Sequence, residues 1–453
     1  MGKIAAFHSY DIRGIYGKDF NQKEVYEIGF FLPKLLNVKK VLVGRDMRES
    51  SDEIFELLAS GITDAGADVY DAGLATTPMI YFLTAKEKFD GSVMITASHN
   101  PREHNGMKIS KTNALPVGYD TGLNVLEDMV LNQKVTPVDQ KGKIIAFERH
   151  QLYLDFLSSY LPDIANLNIA VDCSNGMAGL FVKDLLGDTP YYINEELDGR
   201  FPNHDPNPLN PANIVQLQKK VIETHADIGI IYDGDADRVM FVDEKGQFIL
   251  PDLMIALMGH YFLEKNPKTK VLQDIRTSKS VKAYLSQWSN VEVAMWKVGR
   301  AHAAPRLREI DGLYGGELAG HYYFKDFFYS DSGILASLII LAVVQKMKLE
   351  NKSVSDIIAG ISSYANSGEI NFKLDRKEEA MDAVKSFFTE KENPVAEYDF
   401  DGYRLEFSDW WFNIRPSNTE PYLRLLVEAQ TQELLNEKVE TVEKIVKNYY
   451  LKK

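Results

Sequence analysis

Apolar runs rich in β-branched residues alternate with amphipathic stretches through most of the chain. Residues 41–43 (Val-Leu-Val) precede a stretch with helical periodicity at 53–65, which is followed by a second strand-like run at 68–70. Strands that alternate with helices in this way form βαβ units with parallel or mixed sheets. The same rhythm returns at residues 168–171, 227–231 and 270–272. The sequence therefore predicts an α/β protein.

Each of the three later runs ends in a loop rich in polar residues. These loops are Asp-Cys-Ser-Asn-Gly at 172–176, Asp-Gly-Asp-Ala-Asp-Arg at 233–238 and Gln-Asp-Ile-Arg at 273–276. Ligands of open α/β sheets bind beyond the carboxyl ends of the strands. We therefore expect the chemistry of this protein to lie in such loops.

The rhythm is interrupted at three places, which divide the chain into predicted domains. A polar stretch at 137–143 precedes a helical pattern at 151–160, the turn at 245–247 precedes a helix predicted from Pro251, and a third break lies at 367–368. A chain of 453 residues also exceeds what one hydrophobic core usually serves. The predicted domains are residues 1–148, 149–250, 251–366 and 367–453.

The last of these segments has a different pattern of predicted strands and helices. It contains strand-like runs at 370–373 and 402–405, a helix between them and an amphipathic helix from Gln432 onward, so it predicts a smaller α+β domain. The most apolar stretch of the chain, residues 334–344, is far shorter than the ~20 residues needed to cross a bilayer. We interpret it as a buried helix that begins after the Asp-Ser-Gly at 331–333.

Charge and cysteine content narrow the class of protein. The chain has 51 Lys and Arg against 65 Asp and Glu, and its net charge of -14 opposes nonspecific binding to nucleic acid or to an anionic membrane. One cysteine, Cys173, allows no intramolecular disulfide and is interpreted as a core residue in a reducing compartment. The N-terminal residues lack the apolar core of a signal peptide. We therefore expect a cytoplasmic enzyme without nucleic-acid or membrane partners.

A serine stands where the apolar run 92–95 breaks into Thr-Ala-Ser-His-Asn-Pro at 96–101. We expect Ser98 to stand clear of the sheet at this strand end, with Lys108 beside it to neutralise an anion or handle a proton. The Asn-Pro and Asn-Gly pairs also suit an ordinary surface turn. A hydrolytic Ser98-His99 pair is disfavoured, because neighbours in an extended segment point in opposite directions and the chain has no Gly-x-Ser-x-Gly elbow.

Three carboxylates, those of Asp233, Asp235 and Asp237, alternate along the loop after the run 227–231. Converging oxygens of this kind suit a hard cation such as Mg²⁺. An EF-hand is disfavoured because its sixth position needs Gly and here has Arg238, whereas a solvated acidic turn stays open. A haloacid-dehalogenase-type phosphotransferase, with Asp233 as nucleophile, is disfavoured by the position of the motif along the chain and by Asp237, where that family usually has Thr or Val.

Two further loops carry groups suited to a phosphorylated sugar. In Tyr-Gly-Gly-Glu-Leu-Ala-Gly-His at 314–321, Glu317 can accept hydrogen bonds from two hydroxyls and His321 can titrate near neutrality. In Arg-Pro-Ser-Asn-Thr-Glu-Pro at 415–421, a guanidinium precedes several hydrogen-bond donors, which is what a phosphate group needs. Taken singly, a glycine loop with one Glu or a polar turn with one Arg is weak evidence.

Taken together, the loops of Ser98, Asp233, Glu317 and Arg415 resemble, in order, the serine, metal, sugar and phosphate loops of the α-D-phosphohexomutase superfamily. The segment Tyr-Asp-Ile-Arg-Gly at 10–14 resembles another segment of that family, whose arginine lines the site. The resemblance is to the bacterial phosphomannomutase/phosphoglucomutase branch in particular. It implies a heart-shaped arrangement of four domains around a central cleft, three of them α/β and the last a smaller α+β domain.

The resemblance also implies a reaction. A phosphohexomutase of this branch is an isomerase of carbohydrate metabolism. It interconverts mannose 6-phosphate and mannose 1-phosphate through a phosphoserine and a hexose 1,6-bisphosphate. Whether glucose 6-phosphate and glucose 1-phosphate are also substrates stays open. The implied Mg²⁺ ligands are Asp233, Asp235, Asp237 and the phosphoryl group on Ser98. The other implied catalytic residues are Arg13, Lys108, Arg238 and His321. The implied substrate-binding residues are Arg276, Glu317, Ala319, Arg415, Ser417, Asn418 and Thr419.

The sequence departs from the family pattern at several positions. Ala319 replaces the commoner serine, and in Gly-Arg-Ala-His at 299–302 Arg300 takes the position of a histidine, while Ala304 takes that of a lysine. The roles of Arg300 and His302 are therefore open. The segments 321–327 and 274–276 resemble the phosphomannomutase branch, but a phosphoglucomutase, a phosphoglucosamine mutase and a non-catalytic sugar-phosphate-binding paralogue stay as alternatives. The sequence leaves both a monomer and a dimer open.

Overall fold

The computed structural model describes residues 3–266, 268–417 and 422–450, and within these ranges the chain forms four β-sheets, one after another. The first sheet lies in the strand order β1-β5-β4-β2-β3-β7, with β6 paired to β5. Its strands are β1 (Ile12–Ile15), β2 (Lys40–Arg45), β3 (Asp68–Leu74), β4 (Gly91–Ile95), β5 (His104–Lys111), β6 (Leu115–Pro116) and β7 (Ile144–Ala146). The accompanying helices are α1 (Gln22–Leu36), α2 (Ser51–Asp64), α3 (Thr77–Lys86) and α4 (Leu123–Asn132).

The predicted βαβ unit of this sheet is confirmed. Strands β2 and β3 are parallel and helix α2 connects them, with its apolar face buried. Strands β4 and β5 are antiparallel, so the sheet is mixed, and the segment 96–103 that contains the serine loop is the connection between them.

The second sheet lies in the order β12-β11-β10-β8-β9. Its strands are β8 (Ile169–Asp172), β9 (Tyr191–Ile193), β10 (Ile228–Tyr232), β11 (Val239–Asp243) and β12 (Phe248–Ile249). The helices here are α5 (His150–Ser158), α6 (Val182–Leu186) and α7 (Pro211–Thr224). Strand β10 is parallel to β8 and antiparallel to β11, so the loop with the three aspartates is the turn of a β-hairpin.

The third sheet lies in the order β14-β13-β15-β16-β17. Its strands are β13 (Thr269–Asp274), β14 (Val291–Trp296), β15 (Tyr314–Gly316), β16 (Tyr322–Phe324) and β17 (Ser330–Asp331). The helices are α8 (Leu253–Phe262), α9 (Lys279–Leu285), α10 (Arg300–Glu309), α11 (Gly333–Leu349) and α12 (Val354–Ile361). The helix predicted from Pro251 is α8, and it begins two residues later, at Leu253.

The fourth sheet is antiparallel and lies in the order β18-β23-β22-β21-β20, with β19 paired to β23. Its strands are β18 (Ala365–Asn366), β19 (Ile370–Lys373), β20 (Ala396–Tyr398), β21 (Tyr403–Glu406), β22 (Trp410–Pro416) and β23 (Tyr422–Ala429). Two helices accompany it, α13 (Lys377–Lys391) and α14 (Gln432–Val446), in the part of the chain that the structure describes. The predicted α+β unit and its terminal helix from Gln432 are therefore confirmed.

One hydrophobic cluster joins the first three sheets, whereas the fourth has a cluster of its own. The joint cluster includes Phe82 on α3, Tyr232 at the end of β10 and most of α11. Helix α11 contains the predicted buried segment 334–344, and Ser332 caps its N-terminus by accepting a hydrogen bond from the Leu335 amide. Cys173 is buried, as predicted. Among the residues described, no helix is long and apolar enough to cross a membrane.

Candidate active site

The serine loop is held by an arginine that the sequence analysis did not single out. Arg48 follows β2, is 3% exposed and lies alongside the loop. Its guanidinium donates hydrogen bonds to four backbone carbonyls, those of Ser98 (2.9 Å), Asn100 (2.7 Å), Pro101 (2.8 Å) and His104 (3.0 Å). Its Nε also pairs with Asp46 at 3.1 Å. This arrangement fixes the path of the backbone from Ser98 to His104.

Ser98 lies beyond the end of β4, but it is not exposed there as expected. It is 1% exposed, and its Oγ donates to Asp233 Oδ2 at 2.8 Å. The loop of the second sheet covers it so closely that a Cβ at Gly234 would lie 2.5 Å from the Ser98 carbonyl oxygen. Glycine is therefore required at 234 for the serine loop and the aspartate loop to meet.

The prediction that His99 points away from Ser98 was also wrong. The backbone is not extended there, because Ser98 has a left-handed φ of 51°, and His99 Nδ1 lies 3.4 Å from Ser98 Oγ. Burial, together with the nearby cations Arg238 and Arg13, holds the pKa of His99 well below its usual value. The imidazole is therefore neutral, and the shorter hydrogen bond of Ser98 goes to Asp233.

The three aspartates of the β10–β11 turn converge as expected for metal ligands. Asp233, Asp235 and Asp237 are buried, and one carboxylate oxygen from each lies within 4.8 Å of the others. Burial and the charges of its two neighbours raise the pKa of Asp233 well above the usual value. In the ranges described, Asp235 Oδ1 and Asp237 Oδ1 are buried without hydrogen-bond partners. Unpaired buried carboxylate oxygens are costly, so this donor set fits a hard cation such as Mg²⁺.

Lys108 and Arg13 bring positive charge to the same point. Lys108 Nζ lies 2.6 Å from Asp235 Oδ2 and 2.5 Å from Asp237 Oδ2. Burial opposes the charge on Lys108, but these two carboxylates outweigh it and raise the pKa of the ammonium. Burial alone would raise the pKa of Asp237, but nearby positive charges, above all that of Lys108, outweigh it and lower the pKa. Arg13 pairs with Asp11 and donates to Asn100 Oδ1 in the serine loop at 2.9 Å.

A chain of polar contacts connects the second and third sheets beside the aspartates. Arg238 Nε donates to His321 Nε2 at 2.9 Å, and His321 Nδ1 lies 2.6 Å from Asp331 Oδ2. Arginine is only a donor, so Nε2 is the acceptor and the imidazole carries its proton on Nδ1, toward Asp331. Asp331 also accepts from Arg300 Nε at 3.0 Å. Asp331 was not recognised in the sequence, since nothing local marks it as a partner of His321.

Arg300 reaches the first domain. Its Nη2 donates to the Ala114 carbonyl at 2.8 Å, and its guanidinium lies 3.5 Å from the ring centroid of Tyr81. Ala304, at the other departure from the family pattern, is buried. His302 packs edge-on against Tyr10, with ring centroids 5.8 Å apart.

The sugar loop is organised around Glu317, which is 2% exposed. Its Oε1 accepts from the Tyr323 hydroxyl at 2.5 Å and its Oε2 accepts from the Gly299 amide at 2.9 Å. Burial raises the pKa of Glu317. Arg276 Nη2 lies 3.8 Å from Glu317 Oε2 and is held by Asp274 at 2.6 Å. Ala319, half-buried in the same loop, offers no polar side-chain atom.

The predicted phosphate loop begins within the last residues of β22, where Arg415 is the penultimate residue of the strand. Arg415 is 3% exposed, its Nε donates to Asp401 Oδ1 at 3.0 Å, and its Nη2 is buried without a hydrogen-bond partner among the described residues. Ser417 is at the edge of the described chain, while Asn418 and Thr419 lie outside the described residues. Arg415 is connected to the sugar loop in two steps. Asp401 Oδ2 accepts from the Val298 amide at 2.8 Å, and the next amide, that of Gly299, donates to Glu317.

Comparison with known proteins agrees with this geometry. Four consecutive family models match the chain: phosphoglucomutase/phosphomannomutase α/β/α domain I at residues 5–134, domain II at 151–246, domain III at 250–364 and the C-terminal domain at 369–445. The chain belongs to the phosphoglucomutase/phosphomannomutase family. The four-domain architecture expected from the sequence is thereby confirmed, while the limits 148, 250 and 366 between domains stay predictions.

Full-length relatives support the same assignment. The chain is 36% identical over 451 residues to the phosphomannomutase of Escherichia coli K12, covering 95% of this chain and 96% of that protein. It is 33% identical over 463 residues to a phosphomannomutase of Methanocaldococcus jannaschii, covering 98% of each. The crystal structure of a phosphoglucomutase/phosphomannomutase family protein from Burkholderia thailandensis superposes with a TM-score of 0.89 at 27% identity, covering 99% of this chain and 98% of that one.

Proposed function

We propose that this protein is a phosphomannomutase that interconverts mannose 6-phosphate and mannose 1-phosphate through a phosphoserine at Ser98. The observation that carries the proposal is the contact of the buried Ser98 Oγ with Asp233, beside a triad of carboxylates and the cations Lys108 and Arg13. A nucleophile surrounded by fixed charges suits phosphoryl transfer, in which catalysis is mainly positioning and charge neutralisation. Mannose is proposed as the sugar because full-length relatives are named phosphomannomutases.

The proposed metal ligands are Asp233, Asp235, Asp237 and, in the phosphorylated enzyme, an oxygen of the phosphoryl group on Ser98. When bound there, Mg²⁺ would neutralise charge on the phosphoryl oxygens as a Lewis acid. The two carboxylate oxygens that lack partners among the described residues support this assignment.

The cations around Ser98 have separate proposed roles. Lys108 is protonated and bonded to two carboxylates, so it neutralises charge and does not act as a base. Arg13 and Arg238 are cations close to the aspartates, and they stabilise the phosphoryl group in transit. In this step the bond between phosphorus and Ser98 Oγ breaks as a bond to a sugar oxygen forms, which gives the hexose 1,6-bisphosphate.

The proposed proton acceptor for the sugar hydroxyl is His321 Nε2. Asp331 fixes the proton of His321 on Nδ1, so the lone pair at Nε2 is held toward the site. In the free enzyme that lone pair accepts from Arg238. A phosphoryl group that draws Arg238 away would free Nε2 to take the hydroxyl proton. That proton passes on to Ser98 Oγ as the serine leaves phosphorus, so Ser98 regains the hydroxyl that donates to Asp233 and His321 is neutral again. Both proton transfers run in reverse when Ser98 is rephosphorylated from the other end of the bisphosphate.

The remaining proposed residues bind the parts of the substrate that do not react. Glu317 accepts hydrogen bonds from sugar hydroxyls, Arg276 stands beside it, and Ala319 contributes only shape. Arg415 holds the distal phosphate, with Ser417, Asn418 and Thr419 as further contacts. A hexose 1,6-bisphosphate serves as intermediate and activator. A cytoplasmic location is proposed from the lone cysteine and the composition, and both a monomer and a dimer stay open.

A turnover assay with mannose 1-phosphate, glucose 1-phosphate and glucosamine 1-phosphate, each primed with its 1,6-bisphosphate, tests the proposal. We expect the highest kcat/KM for mannose 1-phosphate, and a phosphoserine at Ser98 by peptide mass analysis. A preference for glucosamine 1-phosphate would make the enzyme a phosphoglucosamine mutase. Binding without turnover of any sugar would indicate a non-catalytic paralogue, and an acid-labile acyl phosphate on Asp233 would contradict the serine mechanism.

A further inference from the structure

Asp401 bridges the fourth sheet and the third at the candidate phosphate site. It lies just before β21, and its side chain is 13% exposed. One carboxylate oxygen, Oδ1, accepts from Arg415 Nε at 3.0 Å, while the other, Oδ2, accepts from the Val298 amide at 2.8 Å. A single carboxylate therefore holds a cation of its own domain and a backbone amide of the neighbouring domain.

The segment that Asp401 contacts also forms hydrogen bonds with Glu317 and with the first domain. The Gly299 amide donates to Glu317 Oε2 at 2.9 Å, and the Val298 carbonyl accepts from the Tyr10 hydroxyl at 3.1 Å. Gly299 has a φ of 101°, and a Cβ there would lie 2.9 Å from the Tyr10 ring, so the turn depends on glycine. Residues 298–299 thus connect Glu317, the candidate sugar-binding residue, with Tyr10 of the first domain and with Asp401.

The contact with Asp401 leaves part of Arg415 free to bind a ligand. Asp401 takes Nε, whereas Nη2 is buried without a hydrogen-bond partner in the described part of the chain. The turn at Gly402 also packs closely against Arg415, since a Cβ at Gly402 would lie 2.5 Å from Arg415 Cβ. The guanidinium is therefore fixed in orientation while one of its amino groups stays available for an anion.

We propose that Asp401 is a positioning residue, which aims Arg415 at the distal phosphate of the hexose phosphate and connects that contact to Glu317 through residues 298–299. This inference rests on the proposed phosphate-binding role of Arg415. A carboxylate is needed because its two oxygens accept two hydrogen bonds at once. The single carbonyl oxygen of an asparagine would serve Arg415 or Val298 but would lack the charge for the first.

Other contacts keep the two domains together when Asp401 is changed. Arg404 Nη1 donates to the carbonyls of Ile275 at 2.8 Å and Thr277 at 2.6 Å, and Ser278 Oγ donates to Glu428 at 2.8 Å. The fourth sheet also has its own hydrophobic cluster. Loss of the Asp401 bridge should therefore leave the fold intact and act on ligand binding.

The test compares Asp401→Asn with Arg415→Ala, with the double variant and with Asp399→Asn, which removes the same charge from an exposed residue nearby. Loss of one charge-assisted hydrogen bond predicts a roughly tenfold rise in KM for mannose 1-phosphate and in the inhibition constant of inorganic phosphate, with kcat changed less than about threefold. Asp399→Asn should match the wild type. Asp401→Glu keeps two acceptors and the charge, so it should lose less affinity than Asp401→Asn.

The double variant separates the two proposals. If Asp401 acts through Arg415, adding Asp401→Asn to Arg415→Ala should change KM by less than about twofold. A further tenfold rise in KM in the double variant would overturn the positioning role. So would an unchanged KM in the single Asp401→Asn variant while Arg415→Ala weakens binding. Either result would leave the proposed function standing. If Arg415→Ala itself left KM and phosphate inhibition unchanged, the phosphate-binding role of Arg415 would be wrong.

A spectroscopic measurement covers the case in which Asp401→Asn disturbs the domain contact. Trp296 of the third sheet stacks on Phe400, next to Asp401, with ring centroids 5.8 Å apart. We expect its fluorescence to be unchanged in Asp401→Asn, with Trp296→Phe identifying its contribution. A shifted emission together with a loss of kcat as large as the rise in KM would show that Asp401 acts by holding the domains together and would contradict the positioning role.

Discussion

The most informative single change to the candidate site is Arg48→Ala, because Arg48 touches none of the reacting groups yet holds the loop that presents Ser98. The substitution removes the donor for four backbone carbonyls and leaves Asp46, which is 2% exposed, without its cation. Breaking a buried ion pair in this way typically costs about 3 to 5 kcal/mol. Native domains have a free energy of unfolding of about 5 to 15 kcal/mol, so the loss is a large fraction.

Two readouts distinguish this effect from a general loss of stability. For a domain of this size each kcal/mol lowers Tm by about 2 to 4 °C, so the first thermal transition should fall by about 6 to 20 °C. At temperatures where the variant stays folded, phosphoserine formation from hexose 1,6-bisphosphate, followed by intact mass, should still be slower than in the wild type. The slower reaction is expected because Arg48 no longer holds the backbone carbonyls of Ser98 and of the residues that follow it.

Arg102→Ala is the matched control. Arg102 is in the same loop, but its side chain is 58% exposed and its ion pair is with the equally exposed Glu103. Surface pairs of this kind contribute about 0 to 1 kcal/mol, so Tm and phosphorylation should stay near the wild-type values. An Arg48→Ala variant with the Tm and phosphorylation rate of Arg102→Ala would refute the assignment of Arg48 as the residue that holds the serine loop.

Further changes test other parts of the site. Ser98→Ala should abolish turnover and leave the circular dichroism spectrum unchanged, whereas residual turnover would place the phosphoryl group elsewhere. Chelation should stop turnover, and Mg²⁺ at a hundred times its Kd should raise the free energy of unfolding by about 2.7 kcal/mol, an increase that Asp235→Asn should reduce. Burial opposes the charge on His204, but its hydrogen bond to Asp172 outweighs this and raises the pKa. The contribution of this pair to the free energy of unfolding should be fully present below pH ~6.5 and be lost as the pH rises through the raised pKa. The free energies of unfolding in urea of the wild type and His204→Gln should therefore differ more at pH 5.5 than at pH 8.5.

Local patterns were enough to predict the elements and the loops. Alternating runs predicted the βαβ units, a capped apolar stretch predicted the buried α11, and charge periodicity predicted α14. The aspartates were found because all three lie in one short turn after a strand, where the hydrogen-bonding pattern of the hairpin brings them together. These features depend on residues close together in sequence, which is why the sequence alone reveals them.

The supporting residues could not be predicted in this way. Arg48 holds carbonyls about fifty residues further on, Asp331 orients His321 from another strand, and Asp401 reaches Val298 across a domain boundary. Each is an ordinary charged residue in its own segment, and only the tertiary contact gives it a role. The left-handed backbone at Ser98 was missed for the same reason, since its carbonyl contacts Arg48 and lies close to Gly234, both distant in sequence.

Arg300 shows how a departure from the family pattern is accommodated. An arginine side chain offers only a positive charge and hydrogen-bond donors, so residue 300 can serve as a cation and a donor but not as an acceptor. Its guanidinium contacts Asp331, the Ala114 carbonyl and the face of Tyr81. Asp331, however, is the carboxylate that orients His321. Arg300 therefore supports the imidazole at 321 indirectly, through the carboxylate that both side chains contact.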